Sequence, residues 1–580
     1  MARNGHRLNW RLAALALALA VGTAGVIARL AQIQLVDHGQ YRAEARDEHF
    51  GLVQVRAPRG AILDRNGYPL ATTIDAFDVY VDRATWQDEA VARRAAAILE
   101  PYVGKPADAI VAEVRKETKG DYLLLRAFDY DKTLELLDRQ PPGVKAVQTS
   151  KRFYPEGDLA SALLGFIGKD NVGLTGVEAD YDRELGGVPG TLSFERDSLG
   201  NPIPFGRRTG QDPIPGGDVR LTIDRYIQRL VEEELDRQVA AHGATGGSII
   251  VMDPNTGEVL AMASRPSFRL STLNLDGDVD QSLFRNRAVT DLYEPGSVMK
   301  TVTAAIALDL GRVTPESTYV DTGVVYVGGH RIANWDFSAN GVTSVRQLLQ
   351  RSLNTGAVWL AVDLIGPHDF YSYLERFGFG DPLNSGLSGE ALALYRTHQD
   401  EGWSESDLAT NSFGQGIAVT PLQMITVVAS LINGGNLMQP HVVKEVHGPD
   451  GDRVFEPVVV RRVISESTSR VMRQLMNDVV EGVPYHLARV DGYHVGGKTG
   501  TTLVSIPTGY ALDSTIASFV GFAPADAPRM IMLIKLDQPK DSEFGGTVAA
   551  PIFADLAPRI LSYLGVEPDA PRFAQAGQGP

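Results

Sequence analysis

Two apolar hairpins, set far apart in the chain, limit its fold more than any other feature. GSIIVMDPNTGEVLAMAS, from Gly247 to Ser264, is two apolar runs joined by Asp253-Pro254-Asn255-Thr256-Gly257. That composition turns a chain because Pro presets φ, Asp and Asn bond their own backbone and Gly accepts positive φ. STIASFVGFAP and RMIMLIKLD, between Ser514 and Asp537, repeat the pattern around the turn-forming ADAP. APIFADLAPRILSYLGV then reads as a C-terminal amphipathic helix. Between the hairpins the sequence is mostly helical, in SVMKTVTAAIALDLG, SVRQLLQRSLNTGAVWLAVDLIG, HDFYSYLERFGFG and TPLQMITVVASLINGG. This order predicts an antiparallel-capable sheet built from both ends of one domain and flanked by helices, an α/β architecture.

Upstream the organisation changes. MARNGHRLNWR carries Arg3, Arg7 and Arg11 and no acid, and Leu12 to Ala28 follow without a charge before Arg29 and a further apolar stretch. A run of this length can span a bilayer, and basic residues stay on the cytoplasmic side. The expectation is a cytoplasmic tail over 1–11, a transmembrane signal anchor over 12–36 and an outward-facing remainder. A cleaved signal peptide is the rival, supported by the small residues Ala16, Ala18 and Ala20; the apolar character resuming past Arg29 favours an uncleaved anchor. From 37 to 215, short β-like and helical runs alternate with Gly and Pro, which predicts an elongated mixed α+β module. A boundary is expected near Gly216. LTIDRYIQRLVEEELDRQVAAHG then reads as a helix opened by Thr222 and Asp224 and closed by Gly243. The C-terminal domain would occupy 216–566, with a disordered tail over 567–580.

The formal net charge of −16 excludes a nucleic-acid partner, because no basic field is available to displace counterions. The absence of cysteine excludes disulfides, thiolate metal sites and a cysteine nucleophile.

Three short stretches carry candidate chemistry. In LYEPGSVMKT, Ser297 and Lys300 lie one turn apart on one helix face, just after Pro295 and Gly296 and with Gly311 as a helix stop. A serine hydroxyl needs a base, and lysine serves only where burial or a neighbouring cation lowers its pKa from about 10.4. No other lysine in the sequence has a serine three residues before it. An N-cap serine is the plain structural alternative. VGGKTGTT, Val495 to Thr502, precedes the late hairpin and should lie on a strand whose glycines allow close approach. There Lys498 supplies a cation and Thr499 and Thr501 supply hydroxyls, a set suited to a carboxylate. It lacks the glycine spacing and following helix of a phosphate-binding loop. Third, Ser352-Leu353-Asn354 interrupts an otherwise helical apolar pattern with residues that disfavour helix interiors. Ser338-Ala339-Asn340 has the same spacing, but its WDFSANG setting reads as a loop.

In this order the three stretches resemble the penicillin-recognising serine acyltransferases, with their Ser-x-x-Lys, Ser-x-Asn and Lys-Thr-Gly elements. The resemblance narrows to the class B penicillin-binding proteins through RAPRGAILDRNG (Arg56 to Gly67), GLTGVEADYDRELGGVPG (Gly173 to Gly190), LTIDRYIQ, EPGSVMK, RSLNTG, SFGQGIAVTPLQM (Ser412 to Met424) and GGKTGT. It implies a penicillin-binding acyltransferase fold over 216–566 on a pedestal, or dimerisation-type, domain over 37–215, where Arg59, Asp64, Arg65 and Glu178 are structural. It also implies a peptidoglycan D,D-transpeptidase of the cell wall. Lys300 would take the proton of Ser297, which attacks the penultimate D-alanine of a stem peptide. Backbone N–H groups of Ser297 and Thr501 would hold the oxyanion. Ser352 would relay a proton, Asn354 would hold the substrate amide, and Lys498, Thr499 and Thr501, with Gly500 between them, would bind the terminal carboxylate. β-Lactams would acylate Ser297, with no metal or cofactor needed. The implied partners are D-Ala-D-Ala stem peptides, a SEDS-type glycosyltransferase and other membrane proteins of the division complex.

SFGQGIAVTPLQM leans toward the septal, FtsI-like branch, with an elongation role as the alternative. A D,D-carboxypeptidase or β-lactamase shares the triplet, but the pedestal and anchor favour the transpeptidase. A bifunctional glycosyltransferase is disfavoured because the N-terminal module carries the class B pedestal motifs, and RDEHF (Arg46 to Phe50) only faintly matches the glycosyltransferase motif. A non-catalytic β-lactam sensor or division scaffold is the reading from a different class.

Overall fold

The computed structural model describes residues 5–42, 50–117, 120–195, 203, 208–275, 277–448, 451–506 and 509–569. Arg46 to His49 of the RDEHF stretch and residues 570–580 of the expected tail lie outside the described residues. Asp569, within that expected tail, accepts the His494 backbone N–H at 2.8 Å. The chain forms two compact units, residues 1–58 with 187–215, and residues 59–186 with 216–580.

In the first unit, helix α1 (Gly5–Ala31) continues into a π turn over Gln32–Val36. The stretch Trp10–Val36 is long and apolar enough to cross a membrane. Its large side chains, among them Trp10, Leu15, Leu19, Val26 and Leu30, are exposed, as suits a helix whose solvent is lipid. Strands Phe50–Val55, Gly190–Glu195 and Arg208–Gln211 form a separate antiparallel sheet.

The second unit holds two larger sheets. One runs Gly451–Val454, Val443–Gly448, Val219–Leu221, Ile62–Leu63, Pro69–Asp82 and Asp121–Asp129, with Val144–Phe153 also paired to Pro69–Asp82. This sheet crosses the boundary expected near Gly216. Val219 and Arg220 pair in parallel with Ile62 and Leu63, and Val219–Leu221 pairs on its other side with Val443–Gly448. The stretch 37–215, expected as one module, is therefore shared between the two units: its 59–186 segment packs with the C-terminal part. Strands of two or three residues are too short to announce their partners through alternation, so sequence pattern could not show this.

The other sheet is the one expected from the hairpins. Strands β1 (Gly246–Met252), β2 (Val259–Arg265), β3 (Gly496–Ile506), β4 (Gly509–Ala523) and β5 (Met530–Asp537) lie in the order β2-β1-β5-β4-β3, every pair antiparallel. In the first hairpin, Asp253 accepts the Asn255 N–H and Gly257 holds φ +80. Alternation sends Ile250, Met252, Leu533 and Val520 to one face and Ile249, Val251, Ile534 and Phe519 to the other. Helices α2 (Arg225–Ala241) and α8 (Ala550–Tyr563) cover the second face. Asp224 caps α2 through the N–H groups of Tyr226 and Ile227.

On the first face lie α3 (Met299–Asp309), α6 (Pro421–Ile432) and α7 (Glu466–Glu481), with α4 (Val345–Arg351) and α5 (Asn354–Val358) beside them. Every residue of α6 is buried, as is α3 from Met299 to Ala307. A helix apolar on all sides belongs inside a domain, and each fully buried aliphatic side chain contributes about 1.5–3 kcal/mol. The residues that end up at the head of α3 are thus carried by a rigid, fully enclosed element.

Candidate active site

Ser297 sits in the tight turn Gly296–Val298 that feeds α3. Gly296 holds φ +55 and donates its N–H to Gly414 O at 3.1 Å. A Cβ at Gly296 would lie 2.7 Å from Thr501 O, and one at Gly414 would lie 2.2 Å from Gly296 O. The turn is therefore pressed between the segment around Gly414 and strand β3, at a spacing only glycine permits. Tyr293 and Val419 exchange backbone hydrogen bonds at 2.9 Å, and Thr303 Oγ1 donates to Ser412 O at 2.7 Å. These contacts tie both sides of the turn to the SFGQGIAVTPLQM segment.

Lys300, one turn on, places Nζ 2.9 Å from Ser297 Oγ, 3.2 Å from Ser352 Oγ and 2.6 Å from Ser352 O. Lys498 Nζ is 2.9 Å from the same Ser352 Oγ and also reaches Thr499 O and Thr499 Oγ1. A continuous chain results: Ser297, Lys300, Ser352, Lys498. Both lysines are 1% exposed. Among the described residues no carboxylate lies within ion-pair distance of either ammonium, so nothing offsets the loss of water around the charge. Burial, and after it the charge of Lys498, holds the Lys300 pKa well below the ordinary lysine value. Burial brings Lys498 down to about 7.

Ser352 and Asn354 do not lie in the interior of one continuous helix. Helix α4 stops at Ser352, which adopts φ +58, and α5 starts afresh at Asn354. The break explains the serine and asparagine in an otherwise helical pattern: it turns the Ser352 hydroxyl and carbonyl toward Lys300. Asn354 Nδ2 donates to Ala333 O at 2.8 Å. Ser338-Ala339-Asn340 lies elsewhere, with Ser338 bonded to Asp336 and Asn340 to Asp321.

The lysine stretch lies on β3, the outer strand of its sheet. Lys498 and Gly500 pair with Val520 and Ser518 on the face toward α3. A Cβ at Gly500 would meet Ser518 Oγ at 2.3 Å and Pro295 O at 2.7 Å, which is how the strand comes this close to the Ser297 turn. Thr499 and Thr501 alternate away, half-buried, and Thr501 Oγ1 accepts the Gly545 N–H at 3.1 Å. The result is a floor of two buried lysines with half-exposed Ser297, Ser352, Asn354, Thr499 and Thr501 around it.

Two contributors were not singled out from sequence. Glu294 accepts from Gly416 N, Tyr510 Oη and Thr502 Oγ1, which ties the residue before Pro295 to the SFGQG segment and to β3 and β4. Burial raises its pKa despite those bonds. Gly545, in EFGGTV, is the other: its Cβ would lie 2.4 Å from Gly500 O. The signal for Glu294 was present in EPGS, but the proline and glycine alone accounted for the turn. Arg59, set aside as structural, is buried against Glu178 and Asp182 at 2.6 Å, and Arg152 reaches Glu178 from the other side.

Residues 247–557 match the penicillin binding protein transpeptidase domain, and residues 54–221 match the penicillin-binding protein dimerisation domain. The chain is 35% identical over 549 residues to stage V sporulation protein D of Bacillus subtilis, covering 93% of this chain and 83% of that protein. It is 33% identical over 574 residues to the peptidoglycan D,D-transpeptidase FtsI of Escherichia coli, covering 97% and 93%. Among solved structures, penicillin binding protein 2X of Streptococcus thermophilus superposes with a TM-score of 0.74 at 25% identity, over 89% of this chain and 81% of that one. Penicillin binding protein 3 of Mycobacterium tuberculosis, complexed with aztreonam, superposes with a TM-score of 0.68 at 27% identity, over 90% and 99%.

Proposed function

Because the chain belongs to the class B penicillin-binding proteins, we propose that it is a peptidoglycan D,D-transpeptidase working through an acyl-enzyme on Ser297. The observation that carries this reading is the placement of Lys300: a buried amine with no carboxylate in ion-pair distance among the described residues, 2.9 Å from the Ser297 hydroxyl. A lysine so held reaches its neutral form at far less cost than a solvated one, and only the neutral form accepts a proton.

Neutral Lys300 takes the proton from Ser297 Oγ as it attacks the carbonyl of the penultimate D-alanine. Negative charge then develops on the carbonyl oxygen, facing the backbone N–H groups of Ser297 and Thr501. The close approach of Gly296 to the Thr501 backbone supports that pairing. As the carbon–nitrogen bond breaks, Ser352 passes a proton to the departing D-alanine from the lysine pair. Asn354 holds the substrate amide, and Lys498 with Thr499 and Thr501 holds the terminal carboxylate. The free edge of β3 can pair with an extended peptide. An amine from a second stem peptide then attacks the ester, which closes the cross-link and frees Ser297. β-Lactams acylate the same oxygen; the aztreonam complex of the mycobacterial relative supports this for a protein of the same fold.

The similarity to the Escherichia coli FtsI supports a septal role in division, and the family resemblance implies work beside a SEDS-type glycosyltransferase in the membrane. Arg3, Arg7 and Arg11 at the N-terminal end of the apolar run support an N-terminus in the cytoplasm, a single pass and a catalytic unit outside. The deciding experiment is intact-protein mass after incubation with benzylpenicillin. Wild type gains one penicillin and Ser297→Ala gains none; a folded wild type that gains nothing removes the enzymatic reading and leaves the scaffold.

A further inference from the structure

Asp321 takes no part in the chemistry above, yet its carboxylate is 1% exposed and accepts six hydrogen bonds. They come from the N–H groups of Gly323 and Asn340, the side-chain amides of Asn334 and Asn340, and Thr355 Oγ1 at 2.7 Å. Burial alone would push its pKa up, but the bonds from Thr355, Asn340, Gly323 and Asn334 together hold it below the ordinary carboxylate value. Asp321 stays charged at neutral pH with no cation in ion-pair distance among the described residues.

Two of its partners flank Asn354. Thr355 is the next residue, and Asn334 follows Ala333, whose carbonyl receives Asn354 Nδ2. Asn334 Oδ1 also accepts the Thr355 N–H at 3.2 Å while its Nδ2 donates to Asp321, closing a ring of bonds through the carboxylate. The hairpin that carries Ala333 buries Val327 and Ile332 in a small apolar cluster with Ala357, Val358, Ala409 and Phe413, which seats it beside α5 but does not aim its polar groups. It belongs to the two-stranded pairs Thr318–Asp321 with Gly341–Ser344 and Val324–Val327 with His330–Ala333, too short to hold themselves in water. Past it, Trp335 and Phe337 are 59% and 70% exposed.

We propose that Asp321 is a positioning residue: by clamping Thr355 and Asn334 it fixes the Ala333 carbonyl and the start of α5, so that Asn354 meets the substrate amide in one orientation. This rests on Asn354 binding that amide, as proposed above. A neutral residue would not serve as well, because one carboxamide oxygen cannot accept all the donors that converge here and its NH2 would face another N–H.

The test measures acylation rates for benzylpenicillin, which carries an acylamido group, and for 6-aminopenicillanic acid, which lacks the acyl part. In Asp321→Asn, benzylpenicillin acylation falls about 10- to 100-fold. With 6-aminopenicillanic acid the rate stays within about twofold of wild type, and Asp321→Asn adds no more than about twofold to Asn354→Ala. Equal slowing of both ligands, no slowing, or additive losses would overturn the proposal. Should Asp321→Asn fail to fold, Thr355→Val keeps the carboxylate and cuts its link to α5, and decides by the same comparison. A wild type acylated by neither ligand sinks the parent reading and this one with it; an acylated wild type matched by its variants sinks this one alone.

Discussion

In the proposed mechanism Lys300 removes a proton from Ser297 only while neutral, so the pH at which it loses its own proton sets the rate. Burial and the nearby Lys498 hold that pKa well below the ordinary lysine value, so acylation should rise with pH through the lowered pKa and level off above it. Lys300→Met should slow acylation by about 10²–10⁴-fold, measured by stopped-flow with a chromogenic β-lactam. Lys498 makes a different prediction, about stability. Its pKa is about 7 folded against 10.5 for an ordinary lysine. Between those values the unfolded chain binds the extra proton, so stability rises with pH across that window, and below about 7 the cost of burying the charge is fully present. Lys498→Met should therefore raise the melting temperature over wild type at pH 6, by less at pH 9, while acylation falls; calorimetry at both pH values checks it. The Ser297–Lys300 pairing was legible because three residues make nearly one helical turn. The burial of Lys498, the shared contact at Ser352 and the bonds that converge on Asp321 were not, since each depends on residues distant in the chain.

Hairpins and helices follow local rules, and the five-stranded sheet and the helices on its faces were readable as elements before their packing was known. Where reading by element stopped short was at breaks and close approaches. The pattern around Ser352 suggested a polar interruption within a helix; the structure ends one helix there and starts another, with a left-handed residue between. Gly414 is the clearest close approach. It holds φ +82, and its Cβ would press on Gly296 O. Gly414→Ala should cost about 1–3 kcal/mol in backbone strain alone. By shifting the Ser297 turn it should also slow acylation about 10²-fold. Gly311, at the far end of α3, gives the contrast. It holds φ +66 with nothing within 4 Å of its Cβ position, so Gly311→Ala should lower the melting temperature and leave acylation near wild type. Equal acylation losses in the two variants would show that the Gly414 contact does not set the nucleophile.

For the whole molecule, the anchor and the catalytic unit obey different solvents. Helix α1 presents apolar side chains from Trp10 to Leu30, whereas α3 and α6 hide theirs inside the second unit. Removing residues 1–36 should move the protein from the membrane pellet to the supernatant with its acylation rate unchanged, a fractionation with a penicillin label as readout. The order of hairpins and helices, the apolar N-terminal run and the one-turn spacing of Ser297 and Lys300 were determined by sequence alone, because each is a periodicity that neighbouring residues impose on one another. Which part of 37–215 packs with the catalytic unit was decided only in three dimensions, as was the burial that holds both lysines below their ordinary pKa. So was the meeting of Gly296, Gly414, Gly500 and Gly545 around the Ser297 turn. Desolvation and close approach depend on which distant segments share a space, and no local pattern records that.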